Sequence, residues 1–309
     1  MPLYLSEADV TGLITPGEAV PVLEQCFLRM ASGAVDNVPR RRLALDDGGF
    51  AVMYAVDRDL GYAGVKAYTV AAGKAVFAVS LFDLRTGELA AVLEADTAGQ
   101  RRTGAASGVA AKHLARRGAS TLGVIGCGWQ AESQVAAIRA AVPTVERVVA
   151  YCRTPERLQA FCATVGAEPA ESHAEAAAQD IVVTITTSRD PVLRGEWLRE
   201  GALLCAAGAN DPRNRELDNV VLERASFVCC DSKENALLES GDLIEPVEAG
   251  VLDWLEVHEL QEVVAGEVRG RESDTDVVVF KSNGLAAWDV AIAAELVDRA
   301  RERGVGTTV

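Results

Sequence analysis

The chain has 309 residues, 49% of them hydrophobic, which suits about two domains at roughly 150 residues each and a sizeable buried core. Thirty Lys plus Arg against 45 Asp plus Glu give a net charge of −15. That argues against nucleic acid or an anionic membrane as partner, because both need a basic face, though a local basic pocket for a small anion stays open, with Arg40-Arg41-Arg42 as its candidate.

In chain order, the Met1 end MPLYLSEADV lacks a basic segment followed by an apolar one, so no signal peptide is expected. Thr15-Pro16-Gly17-Glu18 reads as a helix start, and Val20, Val22, Leu23, Cys26, Phe27 and Met30 continue it to Gly33. From about Arg42 to Leu93 the pattern turns to strands. Phe50–Met53, Gly64–Tyr68, Ala75–Phe82 and Leu89–Leu93 are separated by turn residues at Asp47-Gly48-Gly49, Ala72-Gly73-Lys74 and Thr86-Gly87, which predicts an antiparallel sheet. An Ala-rich helix follows over about Ala98–Ala115. From Ser120 the chain alternates short apolar strands (Leu122–Ile125, Arg147–Tyr151, Ile181–Thr186, Ala202–Ala207, Phe227–Cys230) with helical stretches, the pattern of a parallel sheet covered by helices. After Val279-Phe280 the tail Leu285–Arg303 is a long amphipathic helix expected to return to the first domain.

No apolar run reaches the roughly 18 charge-free residues of a membrane span. The seven cysteines are odd in number and scattered, with no C-x-x-C pair, which suits buried thiols in a reducing cytoplasm. The three histidines are far apart, so no metal site is expected.

Gly126-Cys127-Gly128-Trp129-Gln130-Ala131 is a G-x-G-x-x-A fingerprint between an apolar strand and a helix. The first Gly makes the turn, the second lets a pyrophosphate approach the backbone, and the Ala allows close helix packing. Phosphate then lies at a helix N-terminus, where free N–H groups favour negative charge. A Rossmann-type, doubly wound parallel sheet with a nicotinamide dinucleotide is the reading. At the end of the second strand an NAD site usually has an acid for the ribose 2′-hydroxyl. Here Cys152-Arg153-Thr154 stands instead, and Arg157 follows one turn later. Arg153, Thr154 and Arg157 favour a 2′-phosphate, hence NADP(H), with NAD(H) as the alternative.

The ordered set Val38-Pro39-Arg40-Arg41, Gly64-Val65-Lys66, Arg102–Ser107, the Gly126 loop, Thr184–Thr187, Gly208-Ala209-Asn210, Arg215–Asp218, Glu239–Asp242 and Val279–Gly284 resembles the ornithine cyclodeaminase/mu-crystallin family over nearly the whole chain. The resemblance implies an α/β protein with two domains. Residues 119–284 would form the Rossmann NAD(P)-binding domain. Residues 1–118 plus 285–309 would form a discontinuous α+β domain for substrate binding and dimerisation, with the active site in the cleft between the two. Arg41, with Arg40 and Arg42 leaving the register open by one, matches the family's first-domain arginine. Lys66 matches its active-site lysine, and Arg102 an arginine that holds the substrate carboxylate. A guanidinium binds a carboxylate bidentately, and a partly desolvated lysine can donate a proton or a charge-assisted hydrogen bond. Thr103, Gly126, Gly128, Trp129, Gln130, Thr186, Ser282, Asn283 and Gly284 would join Arg153, Thr154 and Arg157 around the cofactor.

Two positions depart from the cyclodeaminase pattern. Asn210 stands where those enzymes carry an aspartate that handles the amine and the attacking water, and an amide cannot act as a carboxylate base. Gly99 stands where many members carry Thr. The expected activity is therefore NADPH-dependent reduction of small α-imino acids such as pyrroline-2-carboxylate or piperideine-2-carboxylate, with Lys66, Arg102 and Asn210 at the reacting centre. The alternatives are an ornithine cyclodeaminase or alanine-type dehydrogenase, and a crystallin-like binding protein without turnover. A homodimer is expected.

Overall fold

The structure is a computed structural model and describes residues 1–309. It contains two compact units, Met1–Arg102 with Leu285–Val309, and Thr103–Gly284.

The first unit opens with β1 (Leu3–Leu5), α1 (Glu7–Leu13) and α2 (Pro16–Ala31). Both helices begin at capping boxes, Ser6 with Asp9 and Thr15 with Glu18. Each box satisfies two N–H groups that no helical carbonyl can reach. Pro16 takes the first turn of α2, where its missing N–H costs nothing. Val20, Leu23, Cys26 and Phe27 recur at helical spacing and are buried.

Five strands follow: β2 (Val35–Leu45), β3 (Gly48–Asp57), β4 (Tyr62–Ala71), β5 (Lys74–Asp83) and β6 (Leu89–Glu94). Each pairs antiparallel with the next. The first half of β2 escapes the strand reading because Asp36, Asn37, Pro39 and Arg40 interrupt any apolar alternation. α3 (Asp96–Leu114) ends this stretch, and the division between the units falls inside it.

The second unit is strand and helix in alternation. In chain order it has β7 (Thr121–Ile125), α4 (Trp129–Ala141), β8 (Arg147–Tyr151), α5 (Pro155–Val165), β9 (Glu168–Pro169), α6 (His173–Ala177), β10 (Ile181–Thr184) and β11 (Leu203–Ala206). Then come α7 (Asn219–Arg224), β12 (Phe227–Cys230), α8 (Lys233–Glu239), α9 (Gly241–Glu248), β13 (Val257–Glu259), α10 (Leu260–Val264) and β14 (Val278–Lys281). The eight strands run in the order β13-β12-β14-β11-β10-β7-β8-β9, and every pair is parallel. All four residues of β10, β11 and β14 are buried, as expected where helices cover both faces. This is the doubly wound sheet that the alternation predicts. β7 has β8 on one side and β10 on the other, so the winding reverses at its end.

The chain then returns to the first unit with α11 (Ala286–Arg303) and β15 (Thr307–Thr308), which pairs with β1 and completes a seven-stranded sheet, β15-β1-β6-β5-β4-β3-β2. α11 packs on this sheet at close range. A Cβ on Gly64 of β4 would meet Val290 Cγ2 at 2.7 Å, so no larger residue fits there. Trp288 is fully buried and meets Phe27 of α2 edge to face at 5.6 Å between ring centroids. No helix is long and apolar enough to cross a membrane.

Candidate active site

In the first unit, strand alternation and helix packing together build a charged cluster. On β4 the buried positions are Tyr62, Gly64 and Lys66, every second residue, and these face α11. Lys66 is 4% exposed, and its Nζ donates to Asp289 Oδ1 of α11 at 2.8 Å. Arg102 of α3 is 7% exposed and donates from Nε to the same oxygen at 3.3 Å. Aromatic faces line the two cations: Lys66 Nζ lies 5.2 Å from the Phe77 ring, and Arg102 lies 5.6 Å from that of Trp288.

Burial pushes the Lys66 ammonium down to about 8, with Arg102 adding to that push and Asp289 opposing it. Burial also works against the Asp289 carboxylate, yet Arg102 and Lys66 hold it below its ordinary value. A Cβ on Gly99 of α3 would come 3.1 Å from Lys66 Nζ, so this glycine keeps the space beside the ammonium clear.

The sequence leaves the arginine register open by one, and the structure turns Arg40 inward. Arg41 is exposed, and the inward position belongs to Arg40, 6% exposed, whose charge acts on both Lys66 and Asp289. The cause is a bulge: Val38 pairs with Tyr54 but Arg41 with Val52, so β2 carries one extra residue over this step. Pro39 sits in the bulge of this edge strand, where its missing N–H breaks no ladder. Asp289 is absent from the residues that the sequence patterns single out. Its one signal is that it is the only charged residue among the buried positions of α11.

In the second unit, the carboxyl ends of adjacent strands collect the other predicted residues. Cys152, Arg153 and Thr154 follow β8; Gly126, Gly128, Trp129 and Gln130 follow β7; Thr186 follows β10; Asn210 follows β11; and Ser282, Asn283 and Gly284 follow β14. These five strands lie side by side in the order β8-β7-β10-β11-β14, so the row is continuous. Arg153, Thr154, Arg157 and Trp129 are exposed, and Thr103 at the start of the unit receives a hydrogen bond on its carbonyl from Gln134.

Gly126 has φ +110, and a Cβ there would meet the Ile185 carbonyl oxygen at 2.5 Å. Gly128 is the N-cap of α4 with no side-chain cap, and nothing lies within 4 Å of a Cβ placed on it. An uncapped N-terminus of a 13-residue helix behind an open glycine suits a pyrophosphate. Ala131 is fully buried where α4 meets the sheet. The residues present therefore fit a dinucleotide.

A buried ionic network holds this row in place, and three of its members, Glu216, Asp242 and Lys281, lie in segments that carry the family resemblance. Glu216 accepts hydrogen bonds from the N–H groups of Thr186, Gly208 and Ala209 and from the Thr186 hydroxyl. Asp242 accepts from the N–H groups of Glu216 and Leu217 and lies 2.9 Å from Lys281 Nζ, which donates to the Ala209 carbonyl at 2.7 Å. Asp231 accepts from the N–H groups of Asn283 and Gly284 at 2.7 and 2.6 Å. Asn210 is exposed at the end of the Ala209 loop, and its neighbour Asp211 pairs with Arg213 at 2.8 Å.

Residues 2–304 match the model of the ornithine cyclodeaminase/mu-crystallin family. Among curated proteins the chain is 42% identical to a delta(1)-pyrroline-2-carboxylate reductase of Bacillus cereus, over 75% of this chain and 73% of that one. It is 35% identical to an alanine dehydrogenase of Archaeoglobus fulgidus, over 99% and 98% of the two chains. Among solved structures, the delta(1)-pyrroline-2-carboxylate reductase of Thermococcus litoralis in complex with NADH and L-proline superposes with a TM-score of 0.94 at 33% identity, covering 99% of this chain and all of that one.

Proposed function

The chain belongs to the ornithine cyclodeaminase/mu-crystallin family, and we propose that it is an NADPH-dependent reductase of small α-imino acids, with cyclic ketimines such as pyrroline-2-carboxylate as leading substrates. One observation carries this reading: three buried cations, Arg40, Lys66 and Arg102, gather around a single carboxylate, Asp289. Such a cluster keeps an excess of positive charge in a poorly solvated place, where it attracts a small carboxylate strongly. The relatives agree in chemistry, because both named activities interconvert a C=N and a CH–NH bond.

In this reading the first unit binds substrate and forms the dimer. Exposed Leu43, Leu45, Val70 and Val76 on its sheet are the apolar residues a second copy would cover. Arg40 and Arg102 clamp the carboxylate and so orient the imine. Lys66 donates to the imine nitrogen and keeps it electrophilic. The second unit holds the cofactor, with Gly126, Gly128, Trp129 and Gln130 at the pyrophosphate, Arg153, Thr154 and Arg157 at the 2′-phosphate, and Thr103, Thr186 and Ser282–Gly284 toward the nicotinamide. NADPH supplies the hydride when bound. Asn210 takes the place of an acid, which disfavours the cyclodeaminase and amino-acid dehydrogenase readings, since both must manage free amine or water.

Replacing each arginine separately tests the clamp. Arg40→Ala should raise KM for the imino acid by about 10- to 100-fold, the worth of one charge-assisted hydrogen bond, while Arg41→Ala should leave it within about twofold, as solvated surface charges do. Equal effects of the two would remove Arg40 from the site.

Paired titrations of NADPH and NADH with cyclic and linear imino acids test the reaction and the cofactor together. The Thermococcus litoralis enzyme was solved with NADH, so any preference for NADPH must come from this chain's own loop after β8. The unaltered protein should prefer NADPH, and Arg153→Ala should weaken that preference by about tenfold, again one charge-assisted contact. Equal use of both cofactors by the unaltered protein would sink the 2′-phosphate assignment. Formation of proline and ammonia from ornithine with NAD⁺ would favour the cyclodeaminase instead.

A further inference from the structure

Asp289 is neither clamp nor proton donor, yet it is the point on which the cluster converges. Its Oδ1 accepts from Lys66 Nζ and from Arg102 Nε, and its Oδ2 is buried with no hydrogen-bond partner. Both cations are thus drawn to one atom. The groups facing Lys66 come from four elements: Asp289 from α11, Arg102 and Asp96 from α3, Arg40 from β2, and the Phe77 ring from β5. Two of these are fixed positive charges, which disfavour a third charge beside them. The Lys66 side chain is also almost fully out of water. Burial and like charge therefore both favour a neutral amine, and the carboxylate in direct contact is the group that opposes them.

We propose that Asp289 is a positioning residue for imine reduction: by drawing Lys66 and Arg102 onto one oxygen it keeps Lys66 in the ammonium form and sets the two cations side by side. The inference rests on the reductase reading and adds to it the origin of the proton. In the reduction an N–H bond of Lys66 breaks as one forms on the imine nitrogen. The C=N bond is reduced by the hydride that NADPH supplies, and the neutral amine left on Lys66 recovers a proton from water. A lysine that had already lost its proton could not begin this sequence. Asp289 touches neither reacting atom here; it acts through Lys66.

The test pairs two readouts in the unaltered protein, Asp289→Asn and Asp289→Glu. The first is the titration of Lys66, read from its ¹³C-labelled ε-carbon signal and assigned by its loss in Lys66→Met. The second is the pH profile of kcat/KM for an imino acid. In Asp289→Asn the Lys66 midpoint should fall by about one unit or more, which is tenfold or more in the ratio of protonated to neutral lysine. The high-pH limb of the profile should move down with it, while NADPH binding stays the same. Asp289→Glu, which restores the charge, should bring the midpoint back toward its original position. An unchanged Lys66 midpoint in a folded Asp289→Asn protein would overturn the proposal. Should that variant not fold, the unaltered protein still decides, because Lys66 found neutral at pH 7 there overturns it equally. If the unaltered protein reduces no imino acid, the reductase reading fails, whereas the Lys66 titration still reports on Asp289.

Discussion

Replacing Lys66 by methionine is expected to lower kcat/KM for the imino acid by about 10²- to 10⁴-fold, the range of a positioned proton donor. Methionine keeps much of the length and volume of the side chain and removes the charge together with the hydrogen bond to Asp289. The cluster should survive, because Arg102 still donates to Asp289 Oδ1 and Arg40 still acts on that carboxylate. NADPH binding, measured without substrate, should be unchanged, so the loss should fall on the imino acid and its reduction alone. A methionine variant within about threefold of the unaltered enzyme would show that Lys66 has no part in the reaction.

The same lysine links activity and stability to pH with opposite signs. Burial holds Lys66 at about 8 in the folded chain, against an ordinary value of 10.5. Below about pH 8 the ammonium is present in both folded and unfolded chains. Between about 8 and 10.5 the unfolded chain binds the proton and the folded one does not, so this group's contribution to stability rises with pH across that window. In the proposed mechanism reduction needs the ammonium, so activity should fall over the same rise. Rate profiles and denaturant midpoints measured at matched pH values check both slopes. Activity that stays flat through about pH 9 would contradict the proton-donor role.

Replacing Gly126 by valine should abolish measurable NADPH binding, the second large effect. The residue sits at φ +110, a conformation that a β-branched side chain does not tolerate, and its Cβ would lie 2.5 Å from the Ile185 carbonyl oxygen. The backbone must therefore move away from its hydrogen bond between Gly126 N–H and the Tyr151 carbonyl, at 2.9 Å, and carry the α4 N-terminus with it. Calorimetric titration with NADPH reads the result, and circular dichroism shows whether the sheet persists. Undiminished binding in a folded valine variant would place the nucleotide somewhere else.

Much of this site is legible in the residue order, because its signals are local. The capped start of α2, the strand alternation around Lys66 and the strand-glycine-helix sequence at Gly126 each depend on residues a few positions apart. The parallel sheet is also visible, since strands covered on both faces must be apolar throughout. The row of residues expected to hold the cofactor follows from that, as most of them lie in the loops after strands.

Other features depend on contacts that no local pattern encodes. The inward arginine is Arg40 because a bulge at Pro39 shifts the alternation of β2 by one residue, and a one-residue slip exchanges the two faces of a strand. The Lys281–Asp242–Glu216 network joins the end of β14, the first turn of α9 and the loop after β11, and no local pattern shows that these three charges meet.

The amino-acid order alone thus determined the glycine turn between β7 and α4 and the alternation that buries Lys66, since both arise from neighbours along the chain. Tertiary packing decided which arginine turns inward and which acid meets the lysine. Lys66 and Asp289 lie 223 positions apart and touch only because Gly64 lets α11 settle against β4. Taking a carboxylate and an ammonium out of water is costly for either one by itself, so the folded arrangement that pairs them is what makes both charges tenable.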